Sequence, residues 1–95
     1  MLNRFLNYIS FETTSDENFK TCPSTKNQLN LANYLVEELN SLGIESELDK
    51  NGYVYANIPG NIKTEKTVGF IAHMDTSPDM SGKNVKANII KNYNG

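Results

Sequence analysis

Cysteine is all but absent. Cys22 stands alone, so no internal disulfide forms and a secreted, disulfide-stapled scaffold is excluded. Tryptophan is missing, and histidine occurs once, as His73. Any chemistry that needs an imidazole therefore runs through one position. Basic clusters are missing too: 9 Lys and Arg face 11 Asp and Glu, a net charge of -2 with a pI near 5.3. Lys50, Lys63, Lys66, Lys83, Lys86 and Lys91 are dispersed and read as solvated surface. A nucleic-acid or anionic-membrane surface needs clustered positive charge, so neither partner is expected. No stretch approaches the ~18 apolar residues of a membrane span, and the amino terminus lacks a basic start followed by an apolar run. A reducing, cytoplasmic location is the default expectation. At 95 residues the chain makes one small unit at most, residues 1–95, with a modest core.

What is present has clear periodicity. Leu2, Phe5, Leu6 and Ile9 recur at the spacing of one helical face, and Ser10 and Phe11 close that short helix. Residues 12–23 are polar and turn-rich and read as a loop. Thr25 followed by Gln28 has the form of a capping box, and Gly43 is a natural stop. Between them Leu29, Ala32, Leu35, Val36, Leu39 and Leu42 line one side of a second helix. Ile44 to Asp49 and Tyr53 to Ile58 alternate as strands around Asn51-Gly52, a pair suited to a tight hairpin turn. Residues 67–72 carry no polar side chain after Thr67, the pattern of a strand covered on both faces. The expected class is α/β, with two helices on a partial mixed sheet. Two helices and a hairpin cover only part of such a sheet, and the chain ends in what reads as a turn, so a larger parent protein is expected.

The tip of the run 67–72 is the candidate site. Side chains two apart in a strand share a face, so His73 and Asp75 can act on one point. A neutral imidazole is a good zinc ligand, and a neighbouring carboxylate fixes its tautomer. The same pair also serves as a surface or structural hydrogen bond, and spacing alone leaves both readings open. Asp75-Thr76-Ser77 resembles the catalytic turn of dimeric aspartic proteases, but only twenty residues follow Asp75, against the flap and further strand of that family. Gly82-Lys83 fails as a phosphate loop because Ser77 and Asn84 occupy places that motif reserves for Gly and for Ser or Thr. Cys22 reads as a small packed residue, Asp79 as a loop former, and Tyr53 with Tyr55 as packing.

Taken together, Gly69-Phe-Ile-Ala-His-Met-Asp-Thr-Ser-Pro-Asp79, Ser81-Gly-Lys-Asn-Val85 and Asn92-Tyr93 resemble the peptidase T family, zinc tripeptide aminopeptidases of bacterial cytosol. Upstream, Thr21-Cys-Pro-Ser-Thr25, the helix from Leu31 to Leu39 and Asn51-Gly-Tyr-Val-Tyr-Ala56 extend the resemblance over nearly the whole chain. Asn94 departs from it, standing where the family usually carries Asp. The resemblance implies that the chain is the amino-terminal part of a zinc-peptidase catalytic domain. It implies that His73 ligates one of two zinc ions, and that Asp75 is the catalytic-site aspartate orienting its ring. Such an enzyme activates a metal-bridging water and releases the amino-terminal residue of a short peptide substrate. The remaining ligands, the general base and a lid domain are implied to lie outside these residues, so the chain alone is expected to be inactive. The alternative from another class is a non-catalytic interaction module that binds a partner, or self-associates, through an uncovered sheet face.

Overall fold

The computed structural model describes residues 1–95. Helix α1 spans Leu2–Tyr8 and helix α2 spans Gln28–Ser41, followed by strands β1, Ser46–Leu48, and β2, Val54–Ala56. The strands form a two-stranded antiparallel sheet with Ser46 opposite Ala56, Glu47 opposite Tyr55 and Leu48 opposite Val54. No helix is long and apolar enough to cross a membrane.

Helix α2 starts without the expected capping box. Asn27 is the N-cap and makes no side-chain capping bond. The Thr25 hydroxyl donates instead to the Thr14 carbonyl at 2.9 Å, and Gln28 Nε2 donates to Ser24 Oγ at 3.2 Å. Both side chains tie the helix entry to its surroundings rather than to each other. The stop at Gly43 does form: Ile44 N–H donates to the Leu39 carbonyl and Gly43 N–H to that of Asn40, with Gly43 at φ +76. This pair of bonds is a Schellman motif, whose left-handed residue is easiest for glycine. Leu31 and Ala32 are the buried apolar residues of the chain. Full burial of a leucine stabilises by about 1.5–3 kcal/mol. Leu42, expected on the apolar side, is exposed, whereas Leu31, not expected there, is buried.

The hairpin turn is one residue longer than Asn51-Gly52 alone suggests. Asp49 N–H donates to the Tyr53 carbonyl and Gly52 N–H to the Asp49 carbonyl, and only Gly52, at φ +88, is left-handed. This is the three-residue loop in which a left-handed glycine follows a right-handed turn. The Asp49 carboxylate braces it, accepting from the N–H groups of Asn51 and Tyr53. Cys22 is exposed rather than packed, and its thiol donates to the Asn51 carbonyl. The rings of Tyr53 and Tyr55 lie 6.3 Å apart, both largely exposed.

Helix α1 docks on α2 through polar and aromatic groups. Tyr8 Oη donates to Glu38 Oε2, Arg4 Nε donates to Glu38 Oε1 at 3.0 Å, and Asn7 Nδ2 donates to Tyr34 Oη. The Tyr34 ring meets Tyr8 edge-on and lies 5.2 Å from Phe11.

The expected strand at 67–72 does not form, and the sheet is antiparallel rather than mixed. Residues 66–75 run without turn or bend, and residues 58–75 make no hydrogen bond between one backbone group and another. Phe70 and Ile71 are fully open to solvent. An apolar run states what a segment needs on both faces; it does not supply those faces. Here the helices and the hairpin are engaged with one another, and nothing pairs with the run. The accessible surface is 8598 Å², against roughly 5,500 Å² for a folded globule of this mass. The radius of gyration is 16.3 Å, against about 12 Å. The fold is therefore an ordered amino-terminal half with an extended, uncovered remainder.

Candidate functional site

His73 and Asp75 lie at the end of the unbent segment, just before the chain is caught by the amino-terminal loop. Their side chains are 84% and 46% exposed. His73 Nδ1 lies 2.8 Å from the Asp75 carbonyl oxygen and 3.2 Å from Asp75 Oδ1. A carbonyl only accepts, so in the neutral ring this contact calls for the proton on Nδ1 and leaves the lone pair on Nε2. The two residues singled out by spacing thus meet although no strand carries them. The backbone carbonyl is the nearer partner, with the carboxylate beside it.

Two contacts fix the chain immediately after Asp75. Thr76 N–H donates to the Thr13 carbonyl at 3.1 Å, and Ser15 N–H donates to the Thr76 carbonyl at 2.9 Å, which makes a parallel bridge between Thr14 and Thr76. The Ser15 hydroxyl donates to the same carbonyl at 2.9 Å. Further on, Gly82 N–H donates to Thr14 Oγ1 at 3.2 Å. A Cβ on Gly82 would lie 2.8 Å from that oxygen, so glycine is required there for close approach rather than for a phosphate loop. Lys83 Nζ reaches Glu12 Oε1 at 3.8 Å. Between these contacts Ser77 Oγ donates to Asp79 Oδ2 at 2.5 Å, consistent with a loop-forming role for Asp79.

The loop 12–23 was expected to be only a connection, and its pairing with Thr76 is absent from that reading. Two successive β-branched threonines, Thr13 and Thr14, followed by Ser15 are the signal available in the sequence, since such residues favour extended pairing.

A zinc site needs three or four protein ligands, and no group of three or more His, Cys, Asp or Glu side chains comes together in the chain. These residues alone do not close a zinc site. The lone pair on Nε2 suits a single ligand position.

No model of a protein family matches the chain. Individual proteins do match along all of it. It is 54% identical over 99 aligned positions to a peptidase T of Alkaliphilus oremlandii, 56% over 97 to one of Caldanaerobacter subterraneus, and 54% over 97 to one of Clostridium acetobutylicum. The chain belongs to the peptidase T family. Each match takes in 100% of the chain and 24% of the relative, so the chain spans about a quarter of the length of the curated relatives it matches. That quarter is the amino-terminal one of peptidase T, and the residues flanking His73 are part of it.

Proposed function

We propose that the chain is the amino-terminal part of a zinc-dependent aminopeptidase that releases the first residue of tripeptides. In this reading His73 supplies one ligand to one of two zinc ions through Nε2, and Asp75 holds the ring. The carrying observation is the His73–Asp75 contact, which favours the tautomer with the proton on Nδ1 and so leaves Nε2 as the metal-donor atom. Family membership over the full chain supports it. Because the chain brings no third ligand, the other donors come from the rest of the parent protein, and these 95 residues alone are inactive. The parent works in the cytoplasm on short peptides.

The test is made in a full-length peptidase T carrying this chain as its first part. His73→Ala removes tripeptide hydrolysis and lowers bound zinc. Asp75→Ala reduces turnover while leaving the thermal midpoint near that of the parent. Parent-like kinetics in both variants overturn the assignment. Zinc-dependent release of amino acids from a tripeptide by the isolated chain overturns its inactivity.

A second reading is favoured by one observation, the exposure of Val68, Phe70 and Ile71. On it the apolar segment binds a partner or a second copy, and the chain acts as an interaction module. Sedimentation distinguishes the two, since that reading requires a stable oligomer or complex.

A further inference from the structure

The Asp75–Thr76 peptide group has both its polar atoms engaged, on opposite sides. Its carbonyl accepts from His73 Nδ1 at 2.8 Å, and its N–H donates to the Thr13 carbonyl at 3.1 Å. A trans peptide is a rigid plane with N–H and C=O pointing apart. Holding one end therefore aims the other. The Thr13 side of this link is itself anchored. Thr13 is 4% exposed, the Thr14 carbonyl accepts from Thr25 Oγ1 at 2.9 Å, and Asp16 N–H donates to Ser24 Oγ at 3.1 Å. Ser24 and Thr25 stand at the entry to α2. Bonding thus runs from the helix entry through the Thr14–Ser15 peptide to the Thr76 carbonyl, and from the Thr13 carbonyl through the preceding Asp75–Thr76 plane to the imidazole.

We propose that the segment Thr13–Ser15 positions His73, setting its tautomer and ring orientation by holding Thr76 on both sides: the Thr13 carbonyl takes the N–H of the Asp75–Thr76 peptide, and Ser15 donates to the carbonyl of the peptide that follows. The proposal rests on the reading of His73 as the functional imidazole, and it assigns to this loop a role outside the His73–Asp75 pair. Exposure of His73 makes the device necessary. A ring 84% open to water has no wall of side chains to hold it, so its orientation depends on the carbonyl presented to it. Thr14 contributes through the hydroxyl that accepts from Gly82 N–H, while its neighbours Thr13 and Ser15 make the two bridge bonds to Thr76. Ser15 contributes two donors to one carbonyl, from its N–H and its hydroxyl.

The test reads the imidazole nitrogens of the 95-residue chain by 15N NMR, at a pH that keeps the ring neutral. The native chain is expected to show a protonated, pyrrole-like Nδ1 and a pyridine-like Nε2. Thr14→Val keeps the side-chain shape but loses the hydroxyl, and the Nδ1 signal is expected to move toward the pyridine-like position as the tautomers mix. Thr14→Ser restores the native signature, which a purely steric role for threonine would not do. Ser15→Pro removes both donors to Thr76 and is expected to mix the tautomers further. It decides the matter alone if Thr14→Val loses its helical circular dichroism. A native chain with Nε2 protonated overturns the proposal. So does a native-like ring signature in Ser15→Pro with faster exchange of the Thr76 amide, because the link would then be broken without effect on the ring. These outcomes are independent of hydrolysis in the full-length protein, so the positioning role and the catalytic reading fail separately.

Discussion

The docking of α1 on α2 should be confined to a defined pH range, because it is centred on Tyr8 and Glu38. Burial, and then the hydrogen bond to Glu38, push the Tyr8 phenol from 10.0 up to about 12. That same hydrogen bond, followed by Arg4, holds the Glu38 carboxyl below its ordinary 4.5. For Tyr8 the raised value means that folding favours the neutral phenol. Its contribution is complete below pH 10 and is lost as pH rises from 10 to about 12. Glu38 works in the opposite sense: its contribution is present above pH 4.5 and is lost as pH falls through the lowered value. Each unit of pKa corresponds to about 1.4 kcal/mol, which gives Tyr8 an upper bound of roughly 3 kcal/mol. Water reaches the pair, and screening leaves about 1 kcal/mol. With a urea dependence near 1 kcal/mol/M for a small protein, that is a shift of about 1 M in the unfolding midpoint. The assay is urea unfolding followed by far-ultraviolet circular dichroism from well below the ordinary phenol value of 10.0 up to the raised value of about 12, comparing the native chain with Tyr8→Phe. The difference between the two profiles should shrink as pH rises, because both chains share every other alkaline effect. Parallel profiles would refute the assignment of the alkaline loss to Tyr8.

Three further outcomes follow from local geometry. Gly43→Ala places a Cβ where no atom lies within 4 Å, but at φ +76, so it should destabilise by about 1–2 kcal/mol through the backbone alone. Gly43→Asn should cost visibly less in the same urea experiment, since Asn tolerates the left-handed region. Gly82→Ala should expose the Thr76 amide to faster hydrogen exchange, because its Cβ would lie 2.8 Å from Thr14 Oγ1; combining it with Thr14→Ala should recover part of the protection. Phe70→Lys should leave the unfolding free energy within about 0.5 kcal/mol of native, as exposed sites do; on the interaction-module reading alone it should also raise the monomer fraction in sedimentation velocity.

The sequence was most informative where structure is local. Helix α2 and the hairpin follow from apolar spacing, Gly43 and Gly52, all of which act within a few residues. The capping box does not form because the Gln28 N–H donates to the Thr25 carbonyl rather than to its hydroxyl, and that hydroxyl is turned toward the Thr14 carbonyl, a partner eleven residues away that no local pattern registers. The run 67–72 has the apolar pattern of a strand yet forms none, because that pattern is a demand for neighbours and strand formation depends on those neighbours being supplied. His73 and Asp75 were legible as a pair because their contact spans two residues. The bridge from Thr14 to Thr76 was not, because it joins positions 62 apart and leaves only a Thr-Thr-Ser run as its trace.

That bridge also sets an order of assembly. A polypeptide is made from its amino terminus, so Thr13, Thr14 and Ser15 emerge long before their partners at Thr76 and Gly82. Both helices and the hairpin can form while the loop still waits. Closing so wide a loop carries an entropic penalty that grows only with the logarithm of its length, but it must be met before the contact returns anything. The bonds that hold Thr76 and Gly82 to the amino-terminal loop are therefore the last of this unit to be made, after both helices and the hairpin have their own partners.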